Sequence, residues 1–132
     1  SMRLYPPAWV IGRTVMHDYE IGGYVIPKGS ELWLSQYVVH RDARWYEKPT
    51  HFLPERWADG EAEKRPKFSF FPFSAGVRNC IGEQFAWQEA ILLLATIIRR
   101  WRVSLAPGFK VEPLPQVTLR SKNGMSMVLK AR

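Results

Sequence analysis

A single cysteine stands in this chain of 132 residues. That scarcity excludes an internal disulfide and any multi-cysteine zinc or iron–sulfur site. No run of ~18 or more uncharged apolar residues occurs, which excludes a membrane-crossing helix. The opening SMRLYPPAWV lacks the basic-then-apolar layout of a signal peptide, so the expectation is a cytoplasmic protein. Acid is also short: 12 Asp and Glu stand against 19 Lys and Arg, a net charge of +7. Such a balance suits an acidic partner. The basic residues are scattered, however, and their densest cluster, EKRPK at 63–67, contains an acid and a proline. No zinc-finger or RNP-like pattern accompanies them, so no nucleic acid is expected. Repeats and low-complexity segments are absent.

Apolar residues are plentiful, at 46%, and imply packing rather than disorder. SMRLYPP at 1–5 and beyond reads as the end of a helix that Pro6 and Pro7 stop. Gly22-Gly23 between β-prone runs and the turn Pro27-Lys28-Gly29 predict a small antiparallel sheet over 13–35, with a strand from Glu31 to Ser35. Residues 36–70 are punctuated by proline and rich in aromatics, an irregular but ordered meander in which Trp45, Tyr46, Phe52 and Trp57 need surfaces to pack on. Over 83–101, Phe85, Ala86, Ala90, Leu93, Leu94, Ile97 and Ile98 follow a helical period, and Ile91 and Leu92 widen the stripe. That predicts one long buried helix, with Arg99, Arg100 and Arg102 at the end where cations suit its dipole. Alternation and Asn123-Gly124 predict a terminal hairpin over 111–132. The fold class is α+β. A few short strands cannot wrap so apolar a helix, so the expectation is the C-terminal part of a larger fold. The helix would be covered by a missing N-terminal portion or by self-association.

The cysteine lies in FPFSAGVRNCIG, residues 71–82, three residues before that helix. Unpaired amides and the dipole at a helix N-terminus favour negative charge, which suits a thiolate. Gly76 and Gly82 permit positive φ or close approach. Arg78 is a fixed cation able to grip a carboxylate with two bonds. Phe71 and Phe73 supply flat apolar surface. A lone cysteine out of context is most simply an inert buried thiol. In this context it sits on a loop that offers a thiolate, a guanidinium and a close backbone to something large, flat and anionic at its edge. Thiolate is a recognised axial ligand of haem iron. His-Arg-Asp at 40–42 matches the start of a protein-kinase catalytic loop, but Glu47 stands where that loop needs Asn, and no Asp-Phe-Gly follows. His17 and His51 are isolated and read as surface or packing residues.

FSAGVRNCIG resembles F-x-x-G-x-R-x-C-x-G, the haem-binding signature of the cytochrome P450 family, at all five specified positions. LPERW at 53–57 resembles that family's P-E-R-F motif with Trp57 in place of Phe, and MRLYPP resembles the end of its E-x-x-R helix with Arg3 as the arginine. The resemblance implies the C-terminal haem-binding portion of a mostly α fold, a single incomplete domain over 1–132. It implies haem b, with Cys80 as the proximal iron ligand, Arg78 on a propionate and Phe73 beside the thiolate. Gly76 and Gly82 would allow the tight turn and close approach, and Arg13 would meet a second propionate. Arg3 and Arg56 would belong to a Glu–Arg–Arg cluster whose acid falls one residue before Ser1. The activity implied is haem-thiolate monooxygenation of a small organic substrate, with dioxygen and with electrons from a redox partner. That partner would be an acidic ferredoxin or flavoprotein reductase docking on Lys64, Arg65, Lys67, Arg99 and Arg100. The distal helix and most of the substrate pocket lie upstream in relatives, so the isolated chain is expected to be inactive. Two other readings stand beside this one: a truncated structural module without stable haem, and a basic binding protein.

Overall fold

Strand β1 (Ile11–Thr14) runs antiparallel to β4 (Glu31–Leu34), pairing Ile11 with Leu34 and Thr14 with Glu31. Between them β2 (Tyr19–Ile21) and β3 (Tyr24–Ile26) form a hairpin of their own. Its turn residues Gly22 and Gly23 have φ of 60° and 81°, the double positive φ that a two-residue turn matching strand twist requires. The single sheet expected over 13–35 is therefore two separate two-stranded ladders. The strands are too short to join. Val15 and Gly29 continue only the β1–β4 ladder, through Val15 N–H to Ser30 O and Gly29 N–H to Val15 O.

The computed structural model describes residues 1–132 and divides into two compact units, Ser1–Pro72 and Phe73–Arg132. In the first unit, Ser35 caps the single-turn helix α1 (Gln36–Val39) by accepting the Val38 amide at 3.3 Å. The apolar core is small: Leu4, Val15 and Tyr46 are buried, alongside the polar Arg3, Gln36, His40 and Ser69. Cations hold the meander instead. Arg3 donates to the carbonyls of His40 (2.7 Å), Pro49 (2.6 Å) and His51 (2.9 Å), fastening three points of the chain with one guanidinium. Arg56 donates to the carbonyls of Glu47 and Lys48. Arg65 lies over the rings of Trp57 (4.7 Å) and Tyr46 (5.2 Å) and donates to the Arg56 carbonyl. No carboxylate pairs with Arg3 or Arg56. Burial, together with Arg56, Arg41 and Arg65 nearby, holds the Arg3 pKa below its ordinary value.

In the second unit a loop leads into helix α2 (Glu83–Arg100), which continues directly into β5 (Trp101–Leu105). Strand β6 (Pro113–Pro115) pairs with β7 (Leu119–Ser121), and β5 pairs with β8 (Met127–Ala131). Two expectations are corrected here. The terminal hairpin over 111–132 does not form as one unit. Gly124 (φ 67°) does turn the chain after Asn123, but β7 folds back on β6 while β8 crosses to β5. The register explains the choice: Val103 faces Leu129 and Leu105 faces Met127, so apolar residues meet across the ribbon. The long helix stands where the periodicity put it but is not buried. Ile91, Leu92 and Leu94 are 59%, 66% and 60% exposed, and no residue of α2 is buried. Two two-stranded ribbons have too little surface to cover a stripe that reaches nearly round the helix. No helix is long and apolar enough to cross a membrane.

Candidate functional site

The cysteine loop is closed by its own backbone. The Cys80 amide donates to the Phe73 carbonyl at 2.9 Å, so the chain leaves and returns to one point over 73–80. Turning in that space requires left-handed residues, and Ser74 (φ 69°) and Gly76 (φ 67°) supply them. Glycine adopts that region without penalty, whereas Ser74 costs roughly 1 kcal/mol there. A single 3-10 turn, Gly76–Arg78, follows, with the Asn79 amide donating to the Gly76 carbonyl at 3.1 Å.

The returning end is fixed to α2. The Glu83 amide donates to the Cys80 carbonyl at 3.4 Å, and Asn79 Nδ2 donates to Glu83 Oε2 at 3.0 Å. Glu83 in the first turn also complements the helix dipole. Cys80 is free and exposed, and the unpaired amides of α2 lie just beyond it. Gly82 has φ −85°, which any residue adopts, so its lack of a side chain matters for room rather than for conformation. A Cβ at Gly82 would lie 3.8 Å from Cys80 Sγ, filling the space beside the sulfur.

Phe73, Gly76, Arg78, Cys80 and Gly82 thus gather on one loop. Arg78 is exposed on the 3-10 turn, with no hydrogen bond or ion pair of its own. Val77 and Ile81 project fully into solvent, at 102% and 105% exposure. The loop thus carries an exposed thiol, a cation with no bond of its own and two bare apolar side chains. No group of three or more His, Cys, Asp or Glu is placed to hold a metal ion. A single protein sulfur suits a metal whose other ligands come from a macrocycle. Arg13 belongs to the first unit, on β1, where its Nη1 donates to the Gly12 carbonyl at 2.8 Å.

Two contacts, one at this loop and one within the first unit, escape notice in the sequence. Trp87 on α2 stacks against Phe73, with centroids 5.7 Å apart and planes at 58°. The signal available was an aromatic side chain one turn into the helix, directly behind an aromatic loop. In the first unit, His40 Nε2 accepts the Phe71 amide at 2.9 Å, and its ring meets those of Phe70 and Phe71 at 5.0 and 5.2 Å. Burial first, then the charges of Arg3 and Arg41, push the His40 pKa down to about 4.

The family model described as Cytochrome P450 matches residues 1–128. Cyclooctatin synthase of Streptomyces melanosporofaciens is 42% identical over 90% of this chain and 26% of its own length. A cytokinin hydroxylase of Arabidopsis thaliana is 37% identical over 98% of this chain and 25% of its own. Among solved structures, the retinoic acid-bound cyanobacterial CYP120A1 superposes with a TM-score of 0.93 and 31% identity, over 99% of this chain and 30% of that one. The chain therefore spans about a quarter of the length of the curated relatives it matches. With the family model matching nearly from end to end and relatives of this similarity, the chain belongs to the cytochrome P450 family.

Proposed function

We propose that this chain is the proximal, cysteine-bearing part of a haem-thiolate monooxygenase. The observation that carries the reading is the loop 73–82, which presents Cys80 at the start of α2 with Arg78 and the bare side chains of Val77 and Ile81 around it. Cys80 would ligate the iron of haem b. Arg78 would donate to a propionate, Phe73 would cover the sulfur, Gly76 would allow the turn, and Gly82 would leave room beside Sγ. Arg13 would meet the other propionate from β1. Bound haem supplies redox-active iron whose thiolate ligand favours cleavage of the dioxygen bond. In the overall reaction one oxygen atom enters a C–H bond of a small organic substrate and the other leaves as water, with two electrons from a redox partner and two protons consumed. The name of the Arabidopsis relative, a hydroxylase, supports oxygen insertion as the outcome.

The cationic surface supports an acidic electron donor, a ferredoxin or flavoprotein reductase, with one refinement from the structure. Lys64 is ion-paired to Glu61, and Arg65 is engaged with Trp57 and Tyr46. Lys67 lies over the Phe68 ring, which leaves Arg99 and Arg100, exposed in the last turn of α2, as the cations that such a donor would meet first.

Labelled dioxygen tests the reading in the full-length protein. Supplied with its electron donor and an organic substrate, it should place one labelled oxygen in the product. A product without oxygen from dioxygen would overturn the assignment. The bare apolar face of α2 favours a second reading, a segment that folds without retaining haem, and failure of the purified chain to take up haem would decide for it.

A further inference from the structure

We infer that Trp87 is a positioning residue for Cys80, acting through Phe73. The inference rests on the haem-ligand reading of Cys80 for its effect on a cofactor, but not for the contact itself. Glu83 and Trp87 are four residues apart on α2 and therefore share a face. Each holds one end of the cysteine loop. Glu83 takes the Asn79 amide group at 3.0 Å, next to the cysteine, and Trp87 takes the Phe73 ring at 5.7 Å, at the loop's beginning. The Phe73 carbonyl in turn receives the Cys80 amide at 2.9 Å.

The placement of the sulfur therefore depends on two clamps from a single helix face. The polar clamp is exposed and competes with water. Phe73 is half-buried and precedes the strained Ser74, whose φ of 69° leaves the loop little intrinsic preference for its shape. The aromatic clamp opposes that strain. A tilted aromatic pair contributes beyond its buried area, and two rings with few torsions hold direction better than a flexible apolar chain. When Phe73 loses its stack, its carbonyl is free to swing, and the Cys80 amide and Sγ move with it.

Amide hydrogen exchange at Cys80 in the cofactor-free protein reads the clasp directly. Trp87→Ala should speed exchange at Cys80 by about two- to tenfold, the range expected for loss of one aromatic pair, and Trp87→Phe should restore it. Alanine favours helix, so circular dichroism should show α2 intact. In the haem-loaded full-length protein, Trp87→Ala should shift the reduction potential and broaden the haem absorption band, and Trp87→Phe should return both toward wild type. Unchanged exchange at Cys80 overturns the inference. Faster exchange with an unchanged potential and band also overturns it, leaving Trp87 a packing residue. A wild-type protein without thiolate-ligated haem refutes the ligand reading instead, and in that case the exchange result alone decides whether Trp87 positions Cys80.

Discussion

His40 offers a test of how the first unit is held. The ring has no exposed surface, its Nε2 accepts the Phe71 amide at 2.9 Å, and its Nδ1 has no partner. Because Nε2 accepts, the neutral ring carries its proton on Nδ1. Protonating Nε2 would break the bond to Phe71 and place a buried positive charge near Arg3 and Arg41. Burial, and after it the charges of Arg3 and Arg41, lowers the pKa from 6.5 to about 4. The folded state thus binds this proton less readily than the unfolded chain does. Stability from the neutral ring is complete above pH 6.5, erodes as pH falls below it, and is gone below about pH 4. Each tenfold difference in proton affinity is worth about 1.4 kcal/mol, so the loss comes to about 3 kcal/mol. Urea unfolding of wild type and His40→Gln across this range isolates it, because Gln keeps an acceptor but does not titrate. Carboxylates such as Asp42, whose pKa is lowered by its hydrogen bonds to Arg44, contribute equally to both proteins and cancel. Wild type should be the more stable at neutral pH, with an advantage that shrinks by about 3 kcal/mol towards pH 4. An advantage that stays constant with pH would refute the account of a buried neutral imidazole.

Arg3→Lys should destabilise the protein by about 2–3 kcal/mol in urea unfolding, since one ammonium cannot reach the three carbonyls that the planar fork engages. A cost below about 0.5 kcal/mol, the scale of an ordinary surface change, would contradict that role. The two loop glycines should separate in behaviour. Gly76→Ala, at φ 67°, should cost about 1–2 kcal/mol and weaken protection of the Asn79 amide in hydrogen exchange. Gly82→Ala, at φ −85°, should leave stability within about 0.5 kcal/mol yet change the haem absorption band, because its methyl would touch Sγ. Equal stability losses at both positions would contradict the division between conformation and room.

Local features were legible in the sequence. Gly22-Gly23 specified a hairpin turn by its need for positive φ, and the helical period marked α2 from Glu83 to one residue past its end at Arg100. The loop residues Phe73, Gly76, Arg78, Cys80 and Gly82 lie within ten positions, so one short motif was enough to find them together. Long-range choices were not legible. The alternation of MVLKA suits any partner strand, and only the match of its apolar face to Val103 and Leu105 selects β5. The meander is held by guanidinium groups bonded to distant carbonyls, as Arg3 is to Pro49 and His51, and periodicity says nothing of such contacts. Trp87 went unnoticed because it lies outside the apolar stripe that the helical period picks out, and its partner Phe73 lies beyond the helix. The apolarity of α2 predicted a buried helix and the structure leaves it exposed, because periodicity marks a face able to pack but does not supply the surface that packs on it.

The reading of Cys80 as a haem ligand meets its most direct test in the carbon monoxide difference spectrum of the reduced, haem-loaded full-length protein, wild type beside Cys80→Ala. Wild type should show the Soret band of thiolate-ligated haem. Cys80→Ala should lose that band while circular dichroism stays unchanged, since the exposed thiol makes no contact on which the fold depends. The same Soret band in both proteins would contradict the assignment.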